Sequence, residues 1–319
     1  MSLSFAEAEA ESESKIIMNP KPEDYAYSRL LPYCRLHWPQ YKISKFHSII
    51  ASYLQEVERG NVTRLIISLP PRSGKTMLVS YFISWFFGRN PEKEIIYTSY
   101  SQERADDTGN ACRNLMLAEA HNRTFPNGGL SPDSKASRKF STVKNGKFFA
   151  TGWGSSVTGR GAHIFVLDDM ISDRADDQSK LNSRKRIEWF SSTAYSRLMP
   201  DDKVTGQKSA IIAIGTRWSY NDFLNYLETD LKHEGWRILS FPAICDKEDD
   251  PLGREIGDPL WPEAFPLKRL EMTKKTMSSL DWSALYQQRP IPVDGGMLPL
   301  VWIKRYSLQK VLETLKGVY

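Results

Sequence analysis

The residues best suited to chemistry sit in Pro70-Pro-Arg-Ser-Gly-Lys-Thr76 and, further along, in Asp168-Asp169. A glycine followed by lysine and threonine at the start of a helix is a phosphate cradle. Backbone N–H groups of the tight turn point at the phosphates, Lys75 neutralises their β and γ oxygens, and Thr76 offers its hydroxyl to Mg²⁺. Pro71, Arg72, Ser73, Gly74, Lys75 and Thr76 are therefore the expected nucleotide-binding residues, with ATP and Mg²⁺ as the expected ligands. The pattern G-x-x-x-x-G-K-[ST] departs at its first position, where this chain has Leu69. Pro70 and Pro71 are then expected to shape the loop by fixing φ, where a glycine would permit positive φ.

A phosphate loop needs a carboxylate at the end of a neighbouring strand. His163-Ile-Phe-Val-Leu-Asp-Asp169 supplies it: four apolar residues, Asp168 to hold Mg²⁺ and Asp169 to orient the attacking water. Asp169 is one methylene shorter than the glutamate more usual as a base, and Asp173, Asp176 and Asp177 compete for the role.

These groups must be positioned by a sheet. Leu65–Leu69 is an apolar run suited to a buried strand, and Met77–Phe87 is apolar nearly all round, as a buried helix is. The alternation continues, with strands at Glu94–Ser99, Ile164–Leu167 and Ser209–Gly215. Helices are expected at Ser44–Arg59, Gln102–Ala118, Lys180–Leu198 and Asp222–Lys232. Strands separated by helices predict an α/β fold, a P-loop NTPase whose parallel sheet carries helices on both faces. Phe140–Thr151, built around Asn145-Gly146, predicts an antiparallel hairpin decorating that sheet. After about Asp246 the pattern weakens into turns rich in Gly and Pro, followed by one helix over Leu267–Arg289. The expected organisation is a flexible arm over 1–20, an ATPase domain over 21–245 and a small linker subdomain over 246–319.

With 319 residues, 40% hydrophobic and 25% charged, the chain has the composition of a globular protein. No run approaches the roughly 20 apolar residues of a membrane helix, and the acidic start is unlike a signal peptide. Cys34, Cys112 and Cys245 form no C-x-x-C pair, which argues against a zinc site or disulfide framework and for a reducing compartment. The net charge of +5 is compatible with nucleic acid but weak evidence for it.

Several segments taken together carry a family resemblance. Pro70–Thr76, Ser99-Tyr-Ser101, Thr158-Gly-Arg-Gly-Ala162, Asp168–Arg174, Gly215-Thr-Arg-Trp218 with Asp222-Phe-Leu224, and Tyr286-Gln-Gln-Arg-Pro290 follow one another as in the large terminase subunits of tailed bacteriophages. The chain resembles that family over about Tyr41 to Met297, and in the family a PPRSGKT-like loop is an accepted Walker A variant. The resemblance implies a motor that hydrolyses ATP to move double-stranded DNA into a procapsid, as a ring on the capsid portal with a small terminase subunit as partner. It also implies work in the cytoplasm of an infected bacterial host. Thr216 then matches the coupling motif that senses the γ-phosphate. Arg72 reaches the phosphates in cis, with Arg104, Arg113, Arg138 and Arg160 as candidates for an arginine donated in trans. Gln40-Tyr41 and Phe46-His47 fall where the family places adenine-side contacts, although a core aromatic in a helix is the commoner explanation. Large terminases carry a second, nuclease domain. It would begin after Met297, so the expectation is an ATPase half without nuclease activity.

Two rivals stand beside this reading. A helicase or remodelling ATPase shares the nucleotide motifs but needs a second RecA-like domain, which the roughly 55 residues from Ala264 onward do not hold. A module using nucleotide only as structural glue has no need of Asp168, Asp169 and Thr216 together.

Overall fold

The computed structural model describes residues 20–201, 206 and 208–292. The expected arm over 1–20 lies almost entirely outside these residues, as does 293–319, including Met297 and all that follows it.

The described chain opens with α1 (Pro22–Ser28), α2 (Leu30–His37) and α3 (Lys45–Glu58), then β1 (Arg64–Ser68), the loop 69–74 and α4 (Lys75–Arg89). Next come β2 (Glu94–Ser99), α5 (Gln102–Leu117), α6 (Glu119–Thr124), β3 (Leu130–Lys135), β4 (Lys139–Thr142), β5 (Lys147–Gly152) and β6 (Ile164–Asp168). The chain continues through α7 (Arg174–Gln178), α8 (Lys180–Trp189), β7 (Ala210–Gly215), α9 (Phe223–Thr229), β8 (Arg237–Ser240) and α10 (Leu267–Thr276). All eight strands form one sheet in the order β3-β4-β5-β2-β6-β7-β1-β8. Six of them, β5 to β8 along that order, run parallel, and β3 and β4 extend the β5 edge as antiparallel strands.

Strand period decides which side chain meets which layer. Leu65, Ile67, Ile95, Tyr97, Ile164, Val166, Ile212 and Ile214 point into one core, with α4 supplying Leu78, Phe82, Trp85 and Phe86. The alternate residues Ile66, Ile96, Phe165, Leu167, Ile211 and Ala213 point into a second core with Trp189, Phe190, Phe223 and Leu227. Helices therefore cover both faces of the sheet, and both-face burial explains why these strands read as continuous apolar runs. This is the α/β, P-loop NTPase fold anticipated from the alternation.

Some elements were not anticipated, and two expected helices need correction. The stretch 25–40 holds α1 and α2, short helices whose mixed aromatic and basic composition masks their period. Strands β3 and β8 lack an apolar signature because they are the two edges; Arg237, Ile238 and Ser240 of β8 are exposed. The expected helix Lys180–Leu198 is α-helical only to Trp189, then passes through a π-type turn (Phe190–Ala194) into a 3₁₀ turn (Tyr195–Arg197). Leu267–Arg289 is not one helix either. It breaks after Thr276, where Ser278 caps a new turn by accepting from the Asp281 N–H, and resumes as a π-type turn at Trp282–Tyr286.

Past β8 the chain packs back onto the phosphate-loop end of the sheet. Phe241 N–H bonds the Ser68 carbonyl at 3.1 Å, and Ala243 exchanges backbone bonds with Tyr286 and Leu260, both 2.8 Å. A third apolar cluster of Ala243, Leu270 and Trp282 holds this segment together.

Candidate nucleotide site

The C-terminal ends of β6, β7 and β1 lie side by side, with Asp168 opposite Ile214 and Ser68 opposite Gly215. Each of these ends emits one chemical group, and α4 begins against them. Gly74 caps α4 with a left-handed backbone (φ 80°), a conformation that glycine adopts without steric cost. The first closed helical bond runs from Leu78 N–H to the Gly74 carbonyl at 3.0 Å. The N–H groups of Lys75, Thr76 and Met77 therefore lack helical acceptors and form the positive end of the helix, suited to an anion.

The proline expectation needs revising. Arg72 carries φ 63°, so the loop does use a left-handed residue, and it falls on a non-glycine. Arg72 is exposed and makes no hydrogen bond or ion pair among the described residues, so the structure does not bring it to the other site groups. Ser73 is buried and its hydroxyl has no partner.

Lys75 is buried, and its Nζ donates to Thr216 Oγ1 at 2.8 Å and pairs with Asp169 Oδ2 at 3.5 Å. The Thr216 hydroxyl in turn donates to the Leu69 carbonyl (3.0 Å), and its N–H donates to Asp169 Oδ1 (3.3 Å). Leu69, at the unexpected first position of the motif, thus serves through its backbone, and its N–H bonds the Gly215 carbonyl at 3.0 Å. Asp169 holds φ 45°, a strained conformation that turns its carboxylate from the strand line towards Lys75.

Asp168 is fully enclosed. Tyr97 Oη donates to its Oδ2 at 2.7 Å, Thr108 donates to Tyr97 at 3.0 Å, and Oδ1 is buried with no hydrogen-bond partner. Burial, followed by the charge of Asp169, pushes the Asp168 carboxyl well above the usual carboxylate range; Tyr97, Lys75 and the Thr76 hydroxyl pull it back. Among the described residues no group of three or more His, Cys, Asp or Glu side chains is placed to hold a metal. One unsatisfied buried carboxylate oxygen beside a threonine hydroxyl nevertheless suits Mg²⁺, which takes one or two protein ligands and keeps phosphates and waters for the rest.

The competing acids are employed elsewhere. Asp173 caps α7 by accepting from the Asp176 N–H at 2.9 Å. Asp176 pairs with the buried Arg186 at 2.7 Å, and Asp177 accepts from Ser219 at 3.0 Å. None is recorded against Lys75 or Thr216. Of the four arginines considered for donation in trans, Arg104 lines an open cleft with Thr76 and Thr108. Arg138 pairs with Asp106, Arg160 lies over the Phe149 ring at 3.6 Å, and Arg113 bonds Asn114.

On the adenine side, Phe46 is core, fully buried against Phe241 and Trp261, and Tyr41 is also buried. Gln40 is exposed. His47 accepts the Ser44 N–H on Nδ1 at 3.0 Å, which leaves the proton of the neutral ring on Nε2; burial lowers its pKa to about 4. That Nε2 has no hydrogen-bond partner and would lie 3.8 Å from a Cβ at Gly74, so His47 backs the loop directly. Phe46, Pro70, Pro71, Trp261, Phe265 and Tyr286 line a small apolar cleft beside it.

Tyr97, Thr108, Ser68 and Gln288 were not singled out by type or spacing. Tyr97 carries a weak signal, being a hydroxyl-bearing residue in an otherwise apolar strand; Gln288 lies within the Tyr286–Pro290 segment of the family resemblance, which assigned it no role, and Ser68 carries no signal.

The fold has counterparts among solved structures. The chain is similar in fold to a bacteriophage large terminase. With the crystal structure of the HK97 bacteriophage large terminase it shares a TM-score of 0.50 at 14% identity, over 78% of this chain and 51% of that one. The chain thus spans about half the length of that terminase. The large terminase ATPase domain of Thermus phage P74-26 matches at a TM-score of 0.44 and 13% identity, over 84% of this chain and 98% of that one. The large terminase of another thermophilic bacteriophage, in complex with ADP, matches at 0.39 and 12%, over 73% of this chain and 52% of that one. No protein-family model and no curated protein matches. Among the described residues no helix is long and apolar enough to cross a membrane.

Proposed function

We propose that the chain is the ATP-hydrolysing motor domain of a DNA-packaging terminase. The observation that carries this reading is the convergence of Lys75, Asp169 and Thr216 on one hydrogen-bonded cluster beside an enclosed Asp168, on a fold similar to that of a phage large terminase.

The N–H groups at the start of α4 cradle the phosphates of ATP, and Lys75 reaches their β and γ oxygens. Bound Mg²⁺ would supply neutralisation of the charge that develops on the transferred phosphoryl group. Thr76 and Asp168 would hold it. Lys75 is held at present by Thr216 and Asp169; its move to the phosphates uncovers the Asp169 carboxylate, which accepts a hydrogen bond from the attacking water. Thr216 then loses its bond from Lys75, and so registers the change at the γ-phosphate. An arginine from a ring neighbour completes the charge stabilisation and is worth about 10³ to 10⁵ in rate, so turnover per subunit rises with protein concentration.

Double-stranded DNA is the proposed substrate track, held through successive phosphates without base readout, so duplex binding is weak, indifferent to sequence and salt-sensitive. The capsid portal and a small terminase subunit are the proposed partners, in the cytoplasm of an infected bacterium. The segment 246–319 is the proposed linker subdomain.

The test is phosphate release by Lys75→Ala beside the unaltered chain. Expected is loss of turnover with an unchanged circular dichroism spectrum. Turnover at the unaltered rate rejects the site.

A further inference from the structure

Three consecutive side chains after the last π-type turn each reach a different anchor. Gln287 pairs its amide with both backbone groups of Ile244, at 3.1 and 2.9 Å, and Arg289 pairs with Asp246 at 2.5 Å. Gln288, between them, is buried and turned under the nucleotide site. Its Oε1 accepts from Ser68 Oγ at 2.9 Å and from the Arg217 N–H at 3.2 Å, while its Nε2 donates to the Leu285 carbonyl. The residue holds φ 55°, left-handed and costly for a glutamine, so its inward orientation is maintained against strain.

Both donors adjoin the chemistry. Ser68 ends β1 and precedes Leu69, whose carbonyl takes the Thr216 hydroxyl; Arg217 follows Thr216, the partner of Lys75. One side-chain oxygen from the C-terminal segment therefore clamps the two backbone turns that meet at Thr216. If the segment moves, it must carry both turns with it, or leave the buried Arg217 N–H without an acceptor and Ser68 Oγ with only its long 3.5 Å contact to Ser240 Oγ.

We infer that Gln288 is a positioning residue through which the C-terminal segment sets Thr216 and Arg217 against the end of β1, governing the hydrolysis step more than nucleotide affinity. This deepens the ATPase reading and rests on it. Gln288 bonds the turn from below and is not among the groups lining the phosphate loop, so its loss displaces Thr216 without removing a phosphate contact.

The test uses the full chain with Gln288→Leu, which keeps the bulk but not the acceptor, Gln288→Glu, which keeps the acceptor, and Ser68→Ala, which removes one of the two bonds. Three quantities are read: kcat and KM by phosphate release, equilibrium affinity for a fluorescent ATP analogue, and amide hydrogen exchange over 215–218. For Gln288→Leu we expect kcat to fall about tenfold or more with analogue affinity held within about twofold, and exchange over 215–218 to accelerate. Gln288→Glu recovers most of kcat, and Ser68→Ala falls between. Unchanged kcat in Gln288→Leu, a change confined to KM and affinity, or Glu no better than Leu overturns the inference. Should Gln288→Leu fail to fold, Ser68→Ala decides, and wild-type kcat and exchange in it overturn the inference. Should the unaltered chain show no turnover, the ATPase reading fails separately. The exchange data then judge the clamp alone, and unchanged exchange over 215–218 overturns it.

Discussion

Replacing Tyr97 with phenylalanine removes a single oxygen, one that sits 2.7 Å from Asp168 Oδ2 inside the sheet. Asp168 keeps its burial and its charged neighbour Asp169 but loses the donor that stabilises its ionised form. A hydrogen bond to a charged acceptor contributes about 1.5–3 kcal/mol, and one pKa unit corresponds to about 1.4 kcal/mol, so the carboxyl moves up by about one to two units. The sign follows from the charge. Asp168 is already held above the ordinary carboxylate range, the form that binds Mg²⁺ is the ionised one, and loss of Tyr97 Oη favours the protonated form. The acid limb of ATP turnover should therefore shift to higher pH by about one to two units at limiting Mg²⁺ and converge on that of the unaltered chain at saturating Mg²⁺, because metal and proton compete for one oxygen. Phosphate release across a pH series at several Mg²⁺ concentrations measures this. An acid limb that stays in place at limiting Mg²⁺, or one that metal fails to move, refutes the reasoning.

Asp168→Asn should abolish Mg²⁺-dependent turnover while raising the stability of the nucleotide-free chain at neutral pH by about 1–3 kcal/mol, read from urea unfolding. A carboxyl whose folded pKa is raised contributes its stability below the ordinary carboxylate range and loses it as pH rises through the raised value, so the gain on substitution should vanish in acid. Asp169→Asn should leave ATP bound but unhydrolysed, whereas Asp173→Asn should keep both turnover and the helix cap, since asparagine caps about as well as aspartate; the reverse outcome moves the water-orienting role to α7. Arg186→Met breaks the buried pair with Asp176 and the contact with Trp153, and should cost about 3 kcal/mol at an unchanged urea m-value. The estimate sits at the low end for a buried pair because Asp176 keeps donors from Ser172 and Asn182.

Local sequence was sufficient wherever one interaction range dominated. The apolar runs 65–69, 164–167 and 209–215 are strands because both their faces are buried, and Gly74-Lys75-Thr76 declares a helix start because only those residue types serve there. Asn145-Gly146 announced its hairpin through the positive φ it tolerates, and Asn145 indeed holds φ 65°. Edge strands β3 and β8 escaped notice because an edge buries less and so needs no apolar period. The pairings within the site were beyond local reading for a different reason. Lys75 and Thr216 are 141 positions apart, Tyr97 and Asp168 are 71 apart, and Ser68 and Gln288 are 220 apart, so no spacing rule relates them. They meet because β2 neighbours β6, β7 inserts between β6 and β1, and the C-terminal segment folds back onto the ends of these strands. The sequence by itself named the groups able to hold phosphate and metal; strand order decided which of them share hydrogen bonds, since only adjacency in the sheet brings their ends within reach.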